Sequence, residues 1–298
     1  MQTVKNFIKN SLCRVSPELF SKIQFRHFLG KKLDLKNPVG LNAKIMWLKF
    51  NTYRNNSLVT KCSDKYAVRE YIAECGYSGI LNDLYGVWER VDDIIWEKLP
   101  SSFVLKCNHG CGYNFLCPDK NSVNKNEVFH TLRKWMREDF WLRFAELQYR
   151  NIPKRIICEK YLGENLVDYK FYCFNGKPMY VLTCVGRDGG KPSHESESED
   201  PKFYFFDRAW KMCPLTHDAL NYCSDIKIPC PTSMSLMWDI AEKLCQPFPF
   251  VRVDLYDASG QVVFGELTFT PSAGLDDRRL PETERLFGEL LRLDKAEK

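Results

Sequence analysis

With 298 residues, 44% of them hydrophobic, the chain can bury a substantial core and divide into two or three lobes of one enzyme-sized unit. A net charge of +5 is too mild for the dense basic stripe of a nucleic-acid binder and favours an anionic small molecule or an acidic glycan. Thirteen cysteines, odd in number and scattered, with no secretory signal, predict reduced thiols in the cytosol, and no stretch approaches the roughly 18 uninterrupted apolar residues of a membrane span.

The start of the chain, Met1 to Cys13, places Val4, Phe7, Ile8 and Leu12 at helical spacing between Lys5 and Lys9, which predicts a packed first helix rather than one resting on a membrane. Pro38 to Asn42 marks a turn before a helical run from Ala43 to Phe50. Ser63 or Asp64 can cap a following helix whose apolar face is Ala67, Val68, Tyr71 and Ile72. Lys65 then falls in the first turn, where it opposes the helix dipole, a cost that an anionic ligand would offset. A solvated lysine accounts for the same local pattern.

A short strand is expected at Leu84 to Trp88 and a helical turn from Asp92 to Lys98. Phe103 to Leu105 read as a buried strand ending in Lys106, followed by a loop containing His109, Gly110, Cys111 and Gly112. Free amides beside one lysine make an anion cradle, although Lys before Gly-x-Gly also describes an ordinary strand and turn. Cys107, His109, Cys111 and Cys117 do not have the spacing of a standard zinc finger, and a Cys-His nucleophile here lacks an orienting third group. Asn126 to Tyr149 carries apolar residues every three or four positions and is expected to be one amphipathic helix; its Arg133, Lys134, Arg137 and Arg143 read as the solvated face, not a nucleic-acid surface.

Arg155 to Leu162 is a strand running into a turn at Gly163, where Glu159 and the backbone of Lys160 and Leu162 can meet the edge of a purine. Asp168 to Phe174, Asn175-Gly176 and Met179 to Cys184 form a hairpin with an Asn-Gly turn. Gly189 to Pro201 is polar and acidic and is expected to be a loop; a strand at Phe203 to Phe206 and a helix at Ser233 to Cys245 follow. In the last block, strands Phe250 to Tyr256 and Val262 to Pro271 put Arg252, Asp254, Glu266 and Thr268 on alternate positions facing one side. A solvated strand face would show the same alternation, but two carboxylates on adjacent strands also make a hard oxygen site for Mg²⁺, which normally accompanies nucleotide phosphates.

The order Asp64-Lys65, Val104-Leu105-Lys106 with its glycine loop, Glu159-Lys160-Tyr161-Leu162, Arg252-Val253-Asp254 and Glu266-x-Thr268-x-x-Pro271 resembles an ATP-grasp enzyme. The resemblance is closest to the teichuronopeptide-synthesis (TupA-like) branch found among bacterial surface-polysaccharide genes. It is carried by Ser63 to Tyr71, Val104 to Gly110, Asp168 to Phe171 and Phe248 to Tyr256, and spans residues from about 40 to 275. It implies an α+β ATP-grasp fold with the nucleotide between two α+β lobes and a smaller N-terminal lobe: residues 1–98, then 99–162 with the phosphate loop, then 163–298 with the metal hairpin. It further implies that Lys65 and Lys106 hold ATP phosphates under the loop His109, Gly110 to Gly112, that Glu159, Lys160 and Leu162 read adenine, and that Asp168 meets the ribose. Asp254, Glu266 and Thr268 would hold Mg²⁺, with Thr268 standing where the general pattern has Asn, and Arg252 with Lys106 would serve the reacting phosphoryl group. The activity implied is a cytoplasmic ligase that activates a uronic-acid carboxylate of an acidic glycan, or of a lipid- or nucleotide-linked sugar precursor, for amide formation with an amino acid or other amine, in peripheral association with membrane-bound glycan assembly. A kinase acting on a glycan hydroxyl would use the same residues. A nucleotide-binding scaffold would keep the purine edge and lose the carboxylates, and both Asp254 and Glu266 are present.

Overall fold

The computed structural model describes residues 2–163, 166–185, 201–221 and 228–293; the acidic stretch expected as a loop lies outside these, apart from Pro201. The chain opens with helices α1 (Gln2–Val15) and α2 (Pro17–Leu29), joined at Ser16, which caps α2 and is followed by a proline at the first helical position. Gly30, left-handed at φ 66°, ends α2. Helices α3 (Leu41–Asn51), α4 (Ser57–Ser63) and α5 (Val68–Glu74) follow. Asp64 ends α4 in extended conformation, and its Oδ1 accepts from the amides of Tyr66 and Ala67 at 2.8 and 3.3 Å. Helix α5 itself starts only at Val68, so Lys65 lies in the turn that Asp64 opens and not, as expected, in the first turn of the helix.

Two antiparallel sheets come next. The smaller contains β1 (Leu84–Trp88), β2 (Phe103–Cys107), β3 (Asn114–Cys117) and, after helix α6 (Lys125–Arg137), β4 (Ile156–Glu159), in the order β1-β4-β2-β3. The larger contains β5 (Val167–Phe174), β6 (Lys177–Val185), β7 (Lys202–Phe206), β8 (Met212–Cys213) and, beyond the short α7 (His217–Leu220) and α8 (Met234–Cys245), the hairpin β9 (Phe250–Ala258) and β10 (Gln261–Thr268). Its order is β10-β9-β5-β6-β7-β8, and α9 (Pro281–Leu290) closes the chain. The elements are thus α+β in class.

Each sheet has its own core. Val128, Phe129 and Leu132 of α6 cover the small sheet against Phe103, Leu105 and Cys158. Behind the large sheet Trp238 of α8 meets Phe171 edge-on at 5.0 Å, both essentially buried, and each such aromatic contributes about 1.5–3 kcal/mol over an exposed one. Ile45, Val59, Val68 and Ile72 of α3, α4 and α5 share this second core, so helices early in the chain are built into the lobe completed by its end.

One expected element is shorter than predicted. The helix anticipated from Asn126 to Tyr149 stops at Arg137, where Glu138 turns extended (φ −77°, ψ 141°). The apolar spacing continues, but its residues serve two cores: Phe140 joins the small sheet, while Trp141, Leu142 and Leu147 pack with Cys13 and Phe20 of the first two helices. A straight helix cannot face both. The break is fixed by Tyr113 and Arg143, which donate to the Glu138 carboxylate at 2.8 and 2.6 Å, and by Ala145 in left-handed conformation at φ 54°.

Candidate active site

The β9–β10 register sets Asp254 opposite Glu266 and Arg252 opposite Thr268, so all four side chains share one face. Regular pairing alone would not do this. Phe264 pairs with Leu255 on the core side, and the extra residue Gly265 then bulges out, resetting the alternation so that Glu266 faces Asp254. A Cβ at position 265 would lie 2.9 Å from the Asp254 carbonyl oxygen and 3.0 Å from the Tyr256 ring, so the bulge needs glycine there.

Arg252 grips Asp254 with two bonds, Nε to Oδ1 at 2.7 Å and Nη2 to Oδ2 at 2.5 Å, and reaches Thr268 Oγ1 at 3.2 Å. The Thr268 hydroxyl donates to Glu266 Oε1 at 3.0 Å, and Arg252 Nη2 stands 3.6 Å from the same oxygen. From β5, Lys170 sits in register with Asp254, donates to its Oδ2 at 3.0 Å and also pairs with Asp168. Burial opposes charge on Glu266, yet Lys65, Arg252 and Lys170 outweigh it and hold that carboxyl down at about 2. Burial likewise opposes charge on Arg252, but Asp254 keeps its guanidinium protonated far beyond the ordinary range.

Across from this face a cleft opens, lined by Lys65, Arg69, Asn82, Lys106, Asn114 and Glu159 on one side and by Tyr256, Gly265 and Glu266 on the other. Lys106 Nζ is 2.6 Å from Glu159 Oε2, and Arg69 Nη1 is 3.5 Å from Oε1. Lys65 Nζ donates to the Gly110 carbonyl at 2.5 Å and lies 3.9 Å from Glu266 Oε2, so it spans from the glycine loop to the hairpin. Gly110 packs so closely on Phe140 that a Cβ would fall 2.5 Å from the ring, and Gly112 is left-handed at φ 77°.

Some predicted residues sit elsewhere. The ring of His109 is 2% exposed and packs on Tyr113, with Nε2 3.3 Å from the Trp135 carbonyl; burial and Lys154 push it down to about 4. The Lys160 amide donates to the Asp83 carbonyl and its own carbonyl accepts from Asn82, while Leu162 is half-buried just past β4. Asp168 meets Lys170 and stands opposite Tyr256, which lines the cleft. Cys107 is buried and its thiol is pushed up to about 12, the reverse of an activated nucleophile.

Sequence reading assigned no role to Arg69, Lys170 and Asn108. Arg69 is one helical turn beyond Lys65 in the same capped segment, and Lys170 is two residues beyond Asp168 on an alternating strand, so both positions carried a signal. Asn108 carried none. It is fully buried, donates to Asp64 and to the Pro153 carbonyl at 2.8 and 2.9 Å, and accepts from the Arg155 amide at 2.6 Å, tying the Lys65 turn to the glycine loop and to the chain entering β4.

Three cations around one opening suit a polyphosphate, and the facing carboxylates and hydroxyl are the hard oxygen donors that Mg²⁺ prefers. Among the described residues no three His, Cys, Asp or Glu side chains gather as a self-sufficient metal site. Glu266, which lines the cleft, is the open donor of the pair. Both Asp254 oxygens are held by Arg252 and Lys170, so a divalent cation there would have to draw Asp254 from those bonds and complete its shell with oxygens from a ligand.

No curated protein matches the chain. Solved structures similar to it include D-alanine–D-alanine ligase from Bacillus anthracis (16% identity, TM-score 0.44, 76% of this chain and 66% of that one) and phosphoribosylamine–glycine ligase from Thermotoga maritima (14%, 0.43, 79% and 54%). Another is the ATP-grasp ligase PsnB with minimal precursor, Mg and ADP (10%, 0.36, 77% and 58%). The chain spans less than two thirds of the length of each. The model of the TupA-like ATP-grasp family matches residues 43–292, which takes in both sheets, the cleft and the hairpin. The chain belongs to that family.

Proposed function

We propose that the protein is a cytoplasmic ATP-dependent carboxylate–amine ligase of bacterial surface-polysaccharide synthesis. The observation that carries this reading is Glu266, backed by Asp254 and Arg252 on the same hairpin face and set across one cleft from Lys65, Arg69 and Lys106. A uronic-acid carboxylate, in a glycan or a lipid- or nucleotide-linked precursor, attacks the γ-phosphorus of ATP and ADP leaves. An amino-acid amine then attacks the acyl carbon, phosphate departs, and the amine gives up its proton as the amide forms.

In this reading Lys65, Lys106 and Arg69 neutralise the phosphates, and the backbone from His109 through Gly110 to Gly112 covers them. Glu159 with the Leu162 backbone meets adenine and Asp168 the ribose, while the Lys160 amide and carbonyl stay with Asp83 and Asn82. Glu159 already holds Lys106 and Arg69, so nucleotide entry would redistribute these pairs. Asp254, Glu266 and Thr268 would hold Mg²⁺, which supplies charge neutralisation between the phosphates. Arg252, anchored on Asp254, is placed to stabilise charge on the reacting phosphoryl group and on the tetrahedral carbon.

Two experiments test the reading. Calorimetry is expected to show ATP binding with Mg²⁺ present, and Lys106→Ala is expected to abolish turnover with the fold intact; absence of binding in the wild type would leave a scaffold as the better account. Mass spectrometry of the glycan from a deletion strain is expected to show loss of an amide-linked amino acid. Loss of a phosphate with amides unchanged would replace the ligase with a kinase.

A further inference from the structure

The charge of this protein is not spread evenly. Residues 1–36 hold eight Lys and Arg against two Asp and Glu, a net of +6, so the other 262 residues together stand at −1 within the total of +5. These residues precede the family match, which begins at position 43. Helices α1 and α2 bury one side on the body, through Cys13 and Phe20 against Trp141 and Leu147 and through Phe25 against Met46 and Leu275.

Their other side is unusual for a surface. Phe7, Ile8 and Val15 of α1 are 72, 61 and 85% exposed, and Leu19, Ile23 and Phe28 of α2 are about half exposed. Six of the fourteen large apolar side chains exposed among the described residues therefore fall on these two helices. Lys22 and Arg26 are interleaved with those of α2 and Lys31 follows its C-cap Gly30, and none of the three holds an ion pair among the described residues. Exposed apolar groups ordinarily occur singly; clustered with unpaired cations on a helix, they match a bilayer boundary that offers acyl chains below and phosphates above. No described helix is long and apolar enough to cross a membrane, so such a contact would lie on the surface. An acidic macromolecule in water would satisfy the cations but leave Phe7, Ile8 and Val15 uncovered.

We propose that the α1–α2 hairpin seats the protein on an anionic phospholipid surface, with Phe7, Ile8, Leu19 and Ile23 entering the headgroup boundary and Lys22, Arg26 and Lys31 meeting lipid phosphates. The proposal does not rest on the ligase reading, since vesicle binding needs neither ATP nor acceptor. The test is flotation of the full chain with phosphatidylcholine vesicles and with vesicles containing phosphatidylglycerol. Binding is expected to be roughly tenfold or more stronger to the anionic vesicles and to fall in high salt. The doubly charge-reversed variant Lys22→Glu with Arg26→Glu and, separately, Ile8→Asp are each expected to cut it by about tenfold or more while leaving the melting curve unchanged. Absence of flotation, flotation indifferent to headgroup charge, or charge-reversed protein that floats like the wild type would overturn the proposal.

Discussion

Two arginines held by carboxylates, Arg252 partly buried and Arg279 fully so, show what distinguishes a working charge cluster from a structural one. Arg252 binds Asp254 through two hydrogen bonds and approaches Glu266; Arg279 binds Asp276 at 2.7 Å, Glu284 at 3.0 Å and the Asn42 side chain at 2.8 Å. In both, burial opposes the charge and neighbouring carboxylates restore it. The surroundings differ. Glu266 keeps 36% of its side chain exposed and lines the cleft, whereas Arg279 is 1% exposed and its partners knit the start of α3 to the start of α9. A buried ion pair is thus no sign of chemistry by itself; an unsealed carboxylate facing cations across a cleft is.

The largest predicted effects separate the two. Arg279→Ala leaves Asp276 and Glu284 without their cation and is expected to destabilise the fold by about 3–5 kcal/mol, read as a shift in the denaturant midpoint. Arg252→Lys keeps a cation beside Asp254, which Lys170 also holds, so the fold is expected to survive while turnover falls by roughly 10²–10³-fold through loss of the two-pronged grip. Equal stability losses in both variants would erase the distinction drawn here.

A smaller effect concerns a buried group with no counter-ion. His109 Nδ1 has no hydrogen-bond partner, and burial with Lys154 holds the ring neutral until about pH 4. Above the ordinary histidine value of 6.5 both folded and unfolded chains are neutral here, so the residue adds no pH dependence. As pH falls below 6.5 only the unfolded chain takes the proton, so stability is lost progressively down to about pH 4, by up to about 3 kcal/mol. Denaturant midpoints across this range, compared with those of His109→Gln, measure it, and parallel curves for the two proteins would contradict it.

The same contrast explains what was legible. The hairpin cluster could be read because Arg252, Asp254, Glu266 and Thr268 lie within sixteen positions on two alternating strands joined by a turn. Even there the bulge at Gly265 escaped, because a glycine inside a strand does not announce which face follows it. The Arg279 network could not be read, since Arg279 and Asn42 are 237 positions apart and only the packing of α3 against α9 joins them. The end of α6 at Arg137 was hidden for a related reason: apolar periodicity reports that residues are buried, not that Phe140 and Trp141 are buried in different cores.

Asn108 tests whether such a long-range tie also serves the site. Its side chain ties Asp64, Pro153 and Arg155 together, and Lys65, the next residue after Asp64, donates its amide to the Asn108 carbonyl. Asn108→Ala would leave the Pro153 carbonyl and the Arg155 amide short of a partner, at a cost of about 2 kcal/mol. Asp64 would keep the Tyr66 and Ala67 amides, so the turn should persist but loosen where Lys65 reaches from Gly110 toward Glu266. Under the ligase reading, KM for ATP is expected to rise more than kcat falls, because Asn108 touches no reacting atom and acts only by placing Lys65. Loss of stability with both kinetic constants unchanged would make Asn108 purely a structural post and return it to the company of Arg279.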